Sequence, residues 1–285
     1  MQVSEIDAQY HAFKEILVEI RSPGIGLIFI NRPQAANSWT FRTIAEFVDA
    51  LGLFDQDARV KCSILASRGK IFSSGFDLKV SLAEGFDQLK DLKPASVERP
   101  SLVHAMMNAK KPIVAAIQGA AVGMGMTVPC MADIRVAWEG AKIGFIFTRR
   151  AIVPEAGSSF IVPKLIGYAR AVDLFLTGDT IPAKDDRLHG MFSRLVKTPE
   201  EVLPRAIEIA TNIAENCHPV AVALTKALTW NGADTIFEQT KFEGMALAHL
   251  SGLGEAGEAG RAFVEKRLPA FKKSVDKDMP AWYPW

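Results

Sequence analysis

Apolar residues change their spacing several times along the chain, and each change marks an element. ILVEI (16–20) and GLIFI (26–30) are short and nearly uninterrupted, and the Ser-Pro-Gly between them is a turn, so the two segments read as a strand pair. The spacing then lengthens. Phe41, Ile44, Phe47, Val48 and Leu51 fall on one face of a helix, behind a cap at Ser38 or Thr40. The pattern next predicts a buried strand over 61–66, a short helix over 101–109, a strand over 112–117, a helix after Gly123 and a strand over 133–138. Strand alternating with helix predicts an α/β core. From about Ser158 onward the pattern is helical almost throughout, broken at Pro182, Pro199 and Pro219. This divides the chain into an α/β core over 1–199 and a helical C-terminal region over 200–285.

The stretch from Pro112 to Ala132 carries no charge and has about the length a bilayer requires. Its content is wrong for lipid: Gln118, Thr127, Pro129 and several glycines stand where leucines would be expected, so it reads as a buried strand, a tight turn and a buried helix. Composition narrows the choice further. In 285 residues, 49% hydrophobic and 23% charged, there is material for one large core, and a net charge of +1 gives no general attraction to nucleic acid or to an anionic membrane. Cys62, Cys130 and Cys217 are too few and too scattered for a disulfide framework or a zinc site. They fit a reducing compartment, and the polar N-terminus is neither a secretory signal nor an Arg-rich transit peptide. The expectation is an intracellular protein, cytoplasmic or organellar, not a secreted one.

Two places combine a strand end with glycine and little reactive side-chain chemistry. KIFSSGFDL (70–78) follows the apolar run VKCSILAS, and IVAAI runs into QGAAVGMGMTV some forty residues later. Amides at a turn or a helix N-terminus point outward unpaired, and two that converge can hold the oxygen of a thioester as it gains negative charge. The alternative is that Gly75, Gly123 and Gly125 only permit tight turns and close helix packing. Asp77 reads as a brace for its own turn. His11, His104, His189, His218 and His249 have no partners at a recognisable spacing and read as surface or structural residues.

Several blocks, in order, resemble those of the crotonase superfamily, the enoyl-CoA hydratase/isomerase family. They are Asn31-Arg32-Pro33, FSSGFDL, GAAVGMGMTVPCMAD (119–133), VPEAGSSFIVPKLIG (153–167) and AFVEKR (262–267). The resemblance implies a spiral of strand, strand and helix forming two roughly perpendicular sheets. A helical C-terminal region would then build a homotrimer or a dimer of trimers. It implies a coenzyme A thioester as substrate, with no prosthetic group and no metal. The oxyanion amides would be those of Phe76 and Met124. Lys79, Phe263 and Lys266 match positions beside the CoA phosphates and adenine, the last two often supplied by a neighbouring subunit. Ser38 and Ser73 match stretches that border the nucleotide. Trp39 is either a wall of the acyl pocket or a core tryptophan.

Thr127 and Phe147 stand where hydratases of this family carry their two glutamates, and neither exchanges a proton with water at neutral pH. Glu155 stands where hydratases carry glycine, in a pattern that resembles the Δ3,Δ2-enoyl-CoA isomerases, whose single glutamate serves as base. Phe145, Phe147 and Met124 would make an apolar lining that strengthens that base. As a residue alone, Glu155 also reads as a first-turn acid on a helix dipole. Three functions follow from the resemblance: isomerisation of a 3-enoyl-CoA to a trans-2-enoyl-CoA, a specialised hydration or dehydration by Glu155 alone, or CoA-thioester binding without turnover. The charged segment from Ala83 to Pro100 would be a variable wall or lid over the site.

Overall fold

The computed structural model describes residues 3–77, 79 and 101–285. The expected lid, Ala83 to Pro100, lies outside the described residues. After helix α1 (Val3–Ala12), which the sequence pattern did not announce, the expected strand pair appears as β1 (Ile16–Arg21) and β2 (Ile25–Ile30). Helix α2 (Phe41–Gln56) starts at a capping box: the Thr40 side chain accepts from the Thr43 amide, and the Thr43 side chain accepts from the Thr40 amide. Of the face expected to be buried, Phe47, Val48 and Leu51 are enclosed. Phe41 is not. It sits at the first helical position, exposed, with its ring edge-on to Phe76 at 5.2 Å.

The core continues through β3 (Cys62–Ser67), α3 (Leu102–Asn108), β4 (Ile113–Ile117), β5 (Ala121–Val122), α4 (Met124–Cys130), β6 (Ile134–Trp138) and β7 (Lys142–Gly144). Then come α5 (Ser158–Ile166), α6 (Tyr168–Thr177), β8 (Thr180–Pro182), β9 (Arg194–Val196) and α7 (Val202–Asn216). The chain closes with α8 (Pro219–Trp230), α9 (Ile236–Leu253), α10 (Ala256–Glu265) and α11 (Val275–Asp278). The region after Ser158 is therefore less purely helical than its pattern implies. Strands β8 and β9 have three residues each, too short for apolar alternation to register.

The larger sheet has the order β1-β2-β3-β4-β6-β9, antiparallel between β1 and β2 and parallel from β2 onward. Its strands are apolar without interruption because both faces are covered. On β2, Ile28 and Ile30 face the main cluster, while Ile25, Leu27 and Phe29 face a second one, as a period of two requires. Helix α7 closes the second face with Val202, Ala206 and Ala210. A small sheet, β5-β7-β8, stands beside the larger one, and bridges from Ser73 to Ala121 and from Trp39 to Phe76 fasten the intervening turns together. The turns that end β3 and β4 are thereby brought side by side. Among the described residues no helix is long and apolar enough to cross a membrane.

Candidate active site

Gly75 fixes the meeting of the two glycine turns. Its φ is +95°, and a Cβ there would stand 2.7 Å from the Val122 carbonyl oxygen and 3.5 Å from the Met124 nitrogen. Only a residue without a side chain lets the two backbones approach so closely. Around this point the Trp39 amide donates to Gly75 O at 2.8 Å, the Asp77 amide to Trp39 O at 2.8 Å, and the Val122 amide to Ser73 O at 3.0 Å. The Phe76 and Met124 amides are left over: neither has an acceptor among the described residues, and Met124 is the first residue of α4.

The turn is braced by the residues at Asn31-Arg32-Pro33. Arg32 donates through Nη1 to Ser38 O at 2.7 Å and Oγ at 2.9 Å, and through Nη2 to Asp77 Oδ2 at 3.0 Å. The Ser38 hydroxyl also donates to Asp77, at 3.0 Å. These cationic and hydroxyl donors favour the charged form and hold the Asp77 carboxyl below its usual range, against its partial burial. Arg32 is the contributor that sequence reasoning left without a role.

Helix α4 carries the arrangement from the amides to a carboxylate. Thr127, one turn after Met124 and fully enclosed, donates its hydroxyl to Glu155 Oε1 at 2.7 Å. Glu155 reaches it from the turn before α5, where Ala156 and Gly157 both take left-handed φ and the Ser158 hydroxyl and amide both donate to the Glu155 carbonyl. The three positions, Met124, Thr127 and Glu155, are thus linked by one helical turn and one hydrogen bond. Burial pushes the Glu155 carboxyl above its ordinary value, and the Thr127 hydroxyl pulls it only part of the way back. A carboxylate so placed is a stronger base than one in water.

The other expected residues are distributed unevenly. Phe145 and Phe147 are enclosed and pack on each other and on Phe175, with ring centroids 5.4 to 6.4 Å apart. Trp39 is fully enclosed, edge-on to Phe47 at 5.5 Å, and its indole Nε1 has no partner among the described residues. The side chains of Ser38 and Ser73 are enclosed as well: that of Ser73 accepts from the Gly75 amide at 3.2 Å. Their hydroxyls therefore shape the turn from within. Lys79 is exposed, and its amide donates to Asp77 Oδ1 at 3.1 Å. Phe263 is 85% exposed on α10, and Lys266 caps that helix in a left-handed conformation. Nothing in the described chain brings these two next to Lys79. The described residues contain no cluster of His, Cys, Asp and Glu able to hold a metal.

The parallel α/β core thus holds two unpaired amides at adjoining turns and a buried carboxylate joined through Thr127 to the helix that starts at the second of them. The family model for enoyl-CoA hydratase/isomerase matches residues 21–274, and the chain belongs to that family. Its fold is the crotonase fold. The enoyl-CoA hydratase ACTT3 of Alternaria alternata is 38% identical over 253 residues, covering 88% of this chain and 84% of the relative. Among solved structures, the enoyl-CoA hydratase of Bacillus anthracis superposes with a TM-score of 0.81 at 30% identity, over 91% of this chain and 99% of that one. The enoyl-CoA hydratase of Mycobacterium tuberculosis superposes with a TM-score of 0.79 at 32% identity, over 90% and 98%.

Proposed function

We propose that the protein isomerises a 3-enoyl-CoA to a trans-2-enoyl-CoA with Glu155 as its single base. The Glu155 carboxylate takes a proton from C2, and the electron pair moves into the thioester, leaving a dienolate whose oxygen accepts hydrogen bonds from the Phe76 and Met124 amides. The protonated Glu155 then returns the proton to C4 as the double bond settles between C2 and C3. Atoms and electrons balance without a second acid, water or redox partner. The observation that carries this reading is the Thr127 to Glu155 hydrogen bond, which ties the carboxylate to the helix whose first amide is unpaired.

A second reading, hydration of a 2-enoyl-CoA by Glu155 alone, is favoured by the names of the relatives, which are hydratases at up to 38% identity. The products separate the two. Isomerisation leaves the mass of the thioester unchanged and moves the double bond, whereas hydration adds one water. Incubating the protein with 3-enoyl-CoA and, separately, with 2-enoyl-CoA, followed by mass and proton NMR analysis, decides between them. Turnover of neither substrate would support CoA-thioester binding without catalysis.

The nucleotide half of the site includes Lys79 and, from a neighbouring subunit, Phe263 and Lys266. The large exposed apolar side chains of Phe237, Phe263 and Val264 support assembly as a trimer or a dimer of trimers.

A further inference from the structure

Beside the Glu155 turn, a cavity of about 670 Å³ opens between α3, α5 and α8. One wall is a single stripe of α5 and its N-cap: Gly157, Phe160, Ile161, Lys164 and Leu165 recur at spacings of three and four. The stripe begins two residues from Glu155, and from Gly157 to Leu165 the helix axis advances about 12 Å. Across the mouth, a Cβ on Gly157 would be 3.8 Å from the Val103 side chain of α3, so the Glu155 turn and α3 face each other. Met107, Ile213 and Val222 make the remainder largely apolar.

The floor is different. Arg135 on β6 is only 5% exposed, and it lines this cavity. Its Nε donates to Met191 O at 2.6 Å, and its Nη1 to Cys130 O at 3.3 Å and to Ala132 O. These acceptors are neutral carbonyls. Among the described residues no carboxylate lies within ion-pair distance of the guanidinium, and Nη2 has no acceptor although it is not sealed from solvent. The neighbouring Lys226, by contrast, pairs with Asp133 at 2.9 Å, and Asp133 is further occupied by the Trp230 indole at 2.6 Å and the Ile113 amide at 2.7 Å. Counting Lys164, the charged side chains on the cavity are three cations and one carboxylate, so it carries a positive potential. A buried guanidinium whose attraction to a carboxylate is limited to Asp133, already paired with Lys226, is costly, and a carboxylate is the partner its planar donors match best.

We propose that this cavity receives the distal part of the acyl chain and that Arg135 Nη2 binds a carboxylate at the chain's far end. The substrate class is then the CoA monothioester of a medium-length dicarboxylic acid. The inference rests on the proposed reading of Glu155 as the base: Glu155 itself does not line the cavity, and the acyl chain would enter past Gly157, two residues on. An extended chain covers about 3.5 Å per three bonds, so a 12 Å wall admits roughly ten bonds beyond the reacting carbons.

Calorimetric titration with saturated thioesters, which the enzyme does not turn over, tests the cavity apart from the reaction. The CoA monothioester of dodecanedioic acid is expected to bind at least about tenfold more tightly than dodecanoyl-CoA, as a charge-assisted hydrogen bond would give. Arg135→Gln should abolish that difference. Should this variant fail to fold, Leu165→Trp, which fills the cavity from α5, should weaken both long thioesters while leaving butanoyl-CoA unchanged. Equal binding of the two dodecanoyl ligands by the parent protein overturns the carboxylate assignment, and long-chain binding indifferent to Leu165→Trp overturns the cavity assignment. A parent that shows the dicarboxylate preference yet leaves every 3-enoyl-CoA unconverted contradicts Glu155 as base and leaves the pocket standing.

Discussion

The Thr127 hydroxyl donates to Glu155 Oε1 across 2.7 Å, joining residues on either side of the site that are 28 positions apart. By the family resemblance a hydratase would carry a glutamate at the position of Thr127, and here the threonine instead donates to Glu155. Its hydrogen bond favours the ionised form of a group that burial pushes toward the neutral one. Thr127→Val keeps the side-chain shape and removes the donor. The acidic limb of the pH–rate profile should then move to higher pH, and turnover at neutral pH should fall about tenfold. A profile that superimposes on the parent's would show that Thr127 only packs.

The same balance sets a pH dependence of stability. The folded Glu155 carboxyl holds its proton to a higher pH than its ordinary value of 4.5. The cost of burying the carboxylate is therefore absent well below that value, grows as pH rises through it toward the raised folded value, and is complete above. Glu155→Gln removes the cost. Its Tm should exceed the parent's by about 2 °C at neutral pH and match it near pH 4. A variant less stable than the parent at neutral pH would mean that the carboxylate is stabilised by contacts other than Thr127.

Gly75→Ala places a Cβ 2.7 Å from the Val122 oxygen on a backbone with φ of +95°. Relief requires the two turns to separate, which also parts the Phe76 and Met124 amides. Stability should fall by about 2 kcal/mol or more, and kcat for 3-enoyl-CoA should drop further than the melting temperature alone accounts for. Equal kcat in a fully folded variant would show that the amides are not both used.

Lys79→Ala and Lys266→Ala should each weaken CoA binding while leaving turnover at saturating substrate mostly intact, because lysine recognises phosphate as a point charge. Calorimetric titration of CoA measures this, and light scattering tests the proposed assembly, which would bring Lys266 to a neighbour's site. Three or six times the 31.1 kDa chain mass is expected. A monomer that binds CoA tightly, or unchanged affinity in both variants, contradicts the assignment.

Much of the fold is legible because the central strands are buried on both faces. The run from Ile25 to Ile30 admits few alternatives, and the capping pair Thr40 and Thr43 marks the start of α2. The small sheet is not legible: β5, β7 and β8 have two or three residues each, and their pairing depends on what the larger sheet brings near them. In the site, glycine turns and Glu155 stand out as residue types in short blocks. The hydrogen bond from Thr127, the Arg32 brace under Ser38 and Asp77, and the enclosure of Trp39 depend on contacts between distant segments, which spacing does not encode. Phe41 illustrates the opposite error, since helical spacing placed it on a buried face that only begins deeper in the helix.

Glu155→Gln, assayed with 3-enoyl-CoA after its melting has been compared with the parent's, separates a catalytic base from an acid that only starts a helix. The amide keeps the size of the side chain and can still meet Thr127, while the base is gone and the Phe76 and Met124 amides remain. Turnover should fall by about 10² to 10⁴ with little change in substrate affinity. Isomerisation at nearly the parental rate would contradict the account and reduce Glu155 to an acid at the start of a helix.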